Sequence, residues 1–308
     1  MQILRESEQT TVIVPVATNP WAAGVAGNAD ALRVHQRLTR NGLVLVRTEQ
    51  HGAQYHHVYV PHVAVPLRPG DQRQGQLVYH LDQIPVTGLT PGASRHLVVT
   101  FSHIGAPSEL MAADYQQRMG ISPFSRLQTW LVKNTLVLRL LDTNLTAGSF
   151  FRNTAGAPTF EADVAAVIAR VRATYQIART QTLLYGASKG ATAAMYHGLK
   201  LGYRFIANDP IVDLTQYAYR PLLLALDDQI ALDMVPKLND LARATPYQGT
   251  VIANHHTPES WPGIARLKHL LLHDLNDATL AYHPQVTVAA TPVVLGLMNT
   301  MLVDLVRR

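Results

Sequence analysis

The chain has no cysteine. That excludes disulfides, thiolate nucleophiles, zinc–thiolate sites and iron–sulfur clusters, and leaves stability to core burial. Charge is scarce as well: 15 % of the 308 residues are charged, against 47 % hydrophobic. A disordered chain has the opposite balance, so a packed globular fold is expected. The formal net charge is only +5. Its cations are scattered through Arg33, Arg37, Arg40, Arg118, Arg126, Arg170, Arg172 and Arg179, which does not point to nucleic acid. No uncharged apolar run reaches the length of a membrane span; the best candidate, Thr291 to Val306, contains Asn299 and Asp304 and reads as a buried C-terminal helix. The opening residues lack the basic-then-apolar order of a signal peptide, so a soluble, cytoplasmic protein is expected. Histidine, at 14, is the one unusual count. No pair has H-E-x-x-H or comparable spacing, so no metal site is expected.

The first third is rich in β-branched runs: Thr11-Val-Ile-Val-Pro-Val, Leu43-Val-Leu-Val-Arg, His57-Val-Tyr-Val-Pro-His-Val-Ala-Val and Gln76-Leu-Val-Tyr-His-Leu. One helix, over 29–40, interrupts them and ends at Asn41-Gly42. From residue 95 strands alternate with helices. The pattern predicts strands over 96–101, 135–141, 182–185, 204–207, 250–253 and 278–282. It predicts helices opening at Ser122-Pro123, over 161–175 behind Thr159, after Ser188, twice within 214–246, over 264–273, and from about Pro292. Such alternation implies a mostly parallel sheet with helices on both faces. There is no internal repeat or linker. One α/β domain over 1–308 is expected, with residues 1–94 as its β-rich antiparallel edge, 95–308 as its core and 214–246 as a helical cap insertion. Tyr217, Tyr219 and Leu222 to Leu224 would line a pocket from that cap.

The sharpest local signal is Leu183-Leu-Tyr-Gly186-Ala-Ser188-Lys189-Gly190-Ala191, a G-x-S-x-G sequence between an apolar strand and a helix of small residues. In that setting the serine sits on a strained strand-to-helix turn, and Gly186 and Gly190 remove Cβ atoms that would clash there. The backbone N–H of Lys189, at the helix start, is then one oxyanion donor. The plainer reading is a glycine-flanked turn opening a helix. Tyr185 and Lys189 also fit the Y-x-x-x-K of short-chain dehydrogenases. That dyad needs both residues on one helix, whereas Tyr185 ends a strand run, and Gly24-Val-Ala-Gly27 lacks the third glycine of a dinucleotide turn. A Walker A loop is excluded, because Lys189 precedes its glycine.

A serine at such an elbow needs a histidine and an acid further along the chain. His283, in Leu280-Ala-Tyr-His-Pro284, stands between the last strand pattern and the C-terminal helix. Glu259 is the one carboxylate in the loop after the 250–253 strand and is the favoured acid. Asp209, at the end of the preceding strand, is the alternative. The second oxyanion donor is expected from His103 or Ile104, in the loop after strand 96–101.

Residues 95–308 thus resemble the α/β-hydrolase superfamily in motif, strand order and partner positions. The stretch Tyr185-Gly-Ala-Ser-Lys-Gly-Ala-Thr-Ala-Ala-Met-Tyr-His-Gly-Leu-Lys is similar to the serine segment of XcbB/CpsF-type capsular polysaccharide biosynthesis proteins, with Ala191 where that group often has a second glycine. The resemblance implies a three-layer α/β-hydrolase-like fold. It also implies a serine esterase or O-acyltransferase acting on a carbohydrate ester. No metal or organic cofactor is then required, and acetyl-CoA would be an acyl co-substrate. The alternatives are a non-catalytic α/β-hydrolase-like binding protein of a glycan or secretion assembly, and the dehydrogenase.

Overall fold

The computed structural model describes residues 2–5, 9–15, 29–82, 94–105, 109, 112, 114–120, 123–217, 230–246 and 248–303. The opening strands β1 (Gln2–Arg5), β2 (Thr10–Pro15), β3 (Leu43–His51) and β4 (Gln54–Pro61) form an antiparallel sheet in the order β1-β2-β4-β3. Helix α1 (Ala29–Arg40) packs on it, burying Leu38 against Val12, Val14, Leu45 and Tyr59. The β-rich opening was expected at the edge of the main sheet; β2, β3 and β4, joined by the unpredicted β1, instead make a sheet of their own. Only β5 (Asp71–Gln74) and β6 (Leu77–Asp82) supply the antiparallel edge, through pairing of β6 with β8 (Thr135–Leu141). The break between the two sheets is local. Pro61 ends β4, a 3-10 turn over His62–Ala64 follows, and Arg73 binds the carbonyl oxygens of His62 and Val65.

The main sheet continues with β7 (His96–Phe101), β9 (Thr182–Ala187), β10 (Arg204–Asn208), β11 (Gly249–Ala253) and β12 (Leu271–Asp274), in the order β12-β11-β10-β9-β7-β8-β6-β5. From β12 to β8 every neighbouring pair is parallel. Every residue of β7, β8 and β9 is buried, as a strand covered on both faces requires. Side chains alternate between two cores. Leu97, Val99, Leu138, Leu184 and Phe205 face one layer, formed by α3 (Phe160–Tyr175), α4 (Lys189–Leu201) and α5 (Val235–Ala244). Val98, Val137, Leu183, Ile206 and Ile252 face the other, where α8 (Thr291–Leu302) contributes Val294, Met298 and Leu302. Among the described residues no single helix is long and apolar enough to cross a membrane.

Three further expectations change. Within 214–246 a 3-10 turn covers Leu214–Tyr217, residues 218–229 of the expected cap lie outside the described residues, and α5 serves as the β10–β11 crossover, with Val235, Leu238 and Ala242 in the core. The pocket residues Tyr219 and Leu222 to Leu224 lie outside the described residues. The predicted helix over 264–273 is only one turn, α6 (Trp261–Ile264), and the chain then turns through His269 (φ 62°) into β12. Strand and helix are hard to tell apart in short apolar runs, and here Leu271-Leu-His-Asp274 finds a parallel partner in β11. The predicted strand over 278–282 is a loop, because Asp277 accepts bonds from the Thr279 N–H and hydroxyl and closes a turn. At 122–123 the helix start falls partly outside the described residues, and a 3-10 turn over Leu127–Trp130 follows. A short helix that the pattern did not predict, α2 (Tyr115–Met119), begins at Asp114, whose carboxylate accepts the Gln116 N–H.

The small sheet is tied to the core through polar groups. Arg118 on α2 is buried and donates to the carbonyl oxygens of Leu45 on β3 and of Thr146 in the loop after β8. His35 on α1 pairs with Tyr59 of β4 and with Thr146.

Candidate active site

The parallel strands deliver three side chains to one place. Strand β9 ends in Ser188, which takes φ 57° and ψ −123° before α4 starts. A non-glycine residue there is strained by about 1–3 kcal/mol, and its neighbours must hold it. They do so closely. A Cβ on Gly186 would collide with the carbonyl oxygen of Gly190, and one on Gly190 with that of Phe101 at the end of β7. The Ser188 N–H is bound to the carbonyl oxygen of Asn208, across to β10. Both elbow glycines are thus required by packing.

Strand β10 ends one residue later in Asp209, which also has positive φ (47°) and whose N–H binds the Ile252 carbonyl at 2.7 Å. That turn aims its side chain across the sheet end. His283 opens α7 (His283–Ala289) and reaches both residues. Its Nε2 lies 2.7 Å from Ser188 Oγ, and its Nδ1 lies 2.6 Å from Asp209 Oδ2. Asp209 is fully buried and Ser188 and His283 nearly so. The other carboxylate oxygen, Oδ1, accepts the Ser260 hydroxyl at 2.8 Å. The Tyr217 ring meets the His283 ring edge-on at 6.3 Å.

The acid beside His283 is therefore Asp209, the alternative, and not Glu259. The reason is backbone placement. Asp209 follows β10, the strand hydrogen-bonded to β9, so its turn faces the elbow directly. Glu259 sits one strand further out, in the turn before α6, beside the Ser260 that supports Asp209. Sequence reasoning missed Ser260 although it adjoins Glu259; no motif marks a hydroxyl that orients the acid.

His103 and Ile104 follow β7 as expected and line a cavity of about 520 Å³ that also exposes Ser188 and His283. Its remaining walls are largely apolar, including Phe124, Pro284 and Val288, and Glu109 contributes a carboxylate. The Phe124 ring stacks on Tyr185 at 5.7 Å. Burial, then the nearby Lys189 charge, lower the His103 imidazole to about 4, so it is neutral near pH 7. Lys189 opens α4, where its backbone N–H has no partner one turn earlier within the helix.

The dehydrogenase geometry is not formed. Tyr185 lies in β9, not on a helix, and burial raises its phenol well above the ordinary range. The Lys189 ammonium turns instead to Asp142, 3.4 Å away. Among the described residues no group of three or more histidines or carboxylates is arranged to hold a metal ion. The histidines of the small sheet behave as strand residues: buried His57 bonds Thr48, and the His56 ring lies 4.4 Å from that of His51.

No family model matches the chain, and no curated sequence matches it. Solved structures do. A variant of the capsule O-acetyltransferase of Neisseria meningitidis serogroup A, in complex with CoA, superposes with a TM-score of 0.53 at 12% identity, over 74% of this chain and 93% of that one. The chain has an α/β-hydrolase-like fold. The Gap123 glycosylation-associated protein complex of Streptococcus agalactiae gives a TM-score of 0.50 at 17% identity, covering 83% of this chain. This chain spans only about half of that one, 51%. At such identities the likeness speaks for the fold alone.

Proposed function

We propose that the protein is a serine-dependent esterase or O-acyltransferase that acts on a carbohydrate or glycan-precursor ester. The observation that carries this reading is the unbroken chain from Ser188 Oγ through His283 to Asp209, with Ser188 and His283 opening onto the cavity. His283 Nε2 takes the hydroxyl proton as Ser188 Oγ attacks the ester carbonyl. The Asp209 carboxylate holds the ring through Nδ1–H and stabilises the imidazolium, and Ser260 fixes that carboxylate in turn. The tetrahedral oxyanion is met by the N–H of Lys189 and one from the His103–Ile104 loop. The imidazolium then gives its proton to the leaving alkoxide, releasing an alcohol and leaving an acyl-Ser188. Water, or a sugar hydroxyl, adds in a second half-reaction with the same proton transfers. In the transfer case acetyl-CoA would serve as acyl donor, and the imidazolium proton would go to the departing CoA thiolate, releasing a thiol in place of the alcohol.

The capsule O-acetyltransferase likeness and the similarity of the 185–200 segment to capsular polysaccharide proteins favour a sugar acceptor. The test is turnover of acetyl esters with and without sugar acceptors, wild type beside Ser188→Ala. Faster donor consumption with acceptor indicates transfer, and equal rates indicate hydrolysis. Ser188→Ala should lose on the order of 10⁶-fold in kcat. A Ser188→Ala protein as active as wild type rules the mechanism out.

A further inference from the structure

Directly behind the elbow lies a buried ion pair that the three-residue chain does not use. Lys189 follows Ser188, and its ammonium and the Asp142 carboxylate are both shut off from solvent, 3.4 Å apart. Burial lowers the ammonium's pKa, and the Asp142 charge opposes that. Asp142 stands at the end of β8 and reaches in two other directions. Its Oδ2 accepts the N–H groups of Ser149 and Phe151, and its own N–H binds Ser102 Oγ at 3.1 Å. Ser102 is the residue before His103. Between them the loop 145–151 is held in an unusual conformation: Leu145, Gly148, Phe150 and Phe151 all have positive φ. A Cβ on Gly148 would strike both the Lys189 ammonium and Asp142 Oδ2, so the pair is packed to contact on that side.

A buried pair of this kind is weak evidence for stability, since apolar residues of equal volume often serve as well. Its position is the more telling fact. One end is the side chain of the residue whose N–H forms one half of the expected oxyanion hole. The other end is bonded to the residue that starts the loop forming the second half. We propose that the Lys189–Asp142 pair is the positioning device of the oxyanion hole, fixing the separation of its two donor segments. This rests on the serine mechanism proposed above. The Lys189 side chain acts through its own backbone on one side and, by way of the Asp142 backbone N–H, through Ser102 on the other.

A mutant cycle with p-nitrophenyl acetate and a fluorophosphonate probe tests this. Lys189→Met leaves Asp142 buried without its cation, so Tm falls, kcat and the probe capture rate fall about 100-fold, and KM stays unchanged. The double variant Lys189→Met, Asp142→Asn removes both charges: Tm recovers and the rates do not. Rates that recover along with Tm in the double variant, or wild-type kcat in Lys189→Met, overturn the proposal. Should Lys189→Met not fold, Ser102→Ala reads the same coupling from its mild end. It should lose roughly tenfold in kcat at constant KM, and an unchanged kcat overturns the proposal. Wild-type capture at Ser188 upholds the serine mechanism whichever way these variants fall, and no capture removes that mechanism itself.

Discussion

The ends of β10 and β11 are neighbours in one sheet and are put to different uses. At the end of β10, Asp209 takes a left-handed turn and points its carboxylate at His283. At the end of β11, the buried Asn254 stands in the corresponding place and never meets His283. Its amide donates to the carbonyl oxygens of Asp277 and Leu280, and its Oδ1 accepts the Asp277 N–H. Thr257 adds a bond to Leu280. One strand end meets the histidine, and the next holds the loop that presents it. Proximity to β9 decides which is which, and the residue type follows: an acceptor where an imidazole nitrogen must be met, an amide where carbonyls and an N–H must be satisfied.

The largest expected contrast is between the two carboxylates. Asp209→Asn should lower kcat by about 10⁴-fold, because the amide favours the wrong imidazole tautomer. Glu259→Gln should change it roughly twofold or less. Reversed magnitudes would mean that the catalytic state uses the outer loop. Next comes Asn254→Ala, which removes three hydrogen bonds that hold the histidine loop. A stability loss of about 2–3 kcal/mol is expected by denaturant titration, with a kcat loss on the order of tenfold. Loss of activity with stability unchanged would assign Asn254 a direct part in chemistry instead.

A further effect comes from two buried imidazoles outside the Ser188–His283–Asp209 chain. His62 and His197 are lowered to about 4, each chiefly by burial. Their folded values lie below the unfolded value, so neutral forms stabilise the fold above about pH 6.5. That contribution is lost as pH falls towards 4, because the unfolded chain takes up the protons. Each residue contributes about 3 kcal/mol over that window. Tm should therefore drop from pH 6.5 to 4, and less steeply in His197→Gln. An equal slope in that variant would show that His197 does not carry the effect.

Much of the core was legible because its signals were steric. Gly186 and Gly190 were readable as an elbow since no other residue fits there, and the largely apolar runs 96–101 and 135–141, alternating with helices, predict strands covered on both faces. The place of His283 beside Ser188 agrees with its order in the chain, although the strand expected before it is a turn. The acid was not legible. Choosing between Asp209 and Glu259 depends on which strand pairs with β9 and on a positive φ at Asp209, and neither is written in residue type. The separate small sheet was hidden for a similar reason, since β-branched runs mark strands without saying which sheet they join. The pairing of Lys189 with Asp142 was not legible, because the two lie 47 residues apart along the chain.

The central claim is that Ser188 is the nucleophile. Its most direct measurement is the mass of the peptide modified when the folded protein meets a fluorophosphonate. The expected result is one adduct, on the peptide containing Ser188, slowed by Asp209→Asn and absent in Ser188→Ala. An adduct at another serine, or none while a control serine hydrolase is labelled, would contradict it.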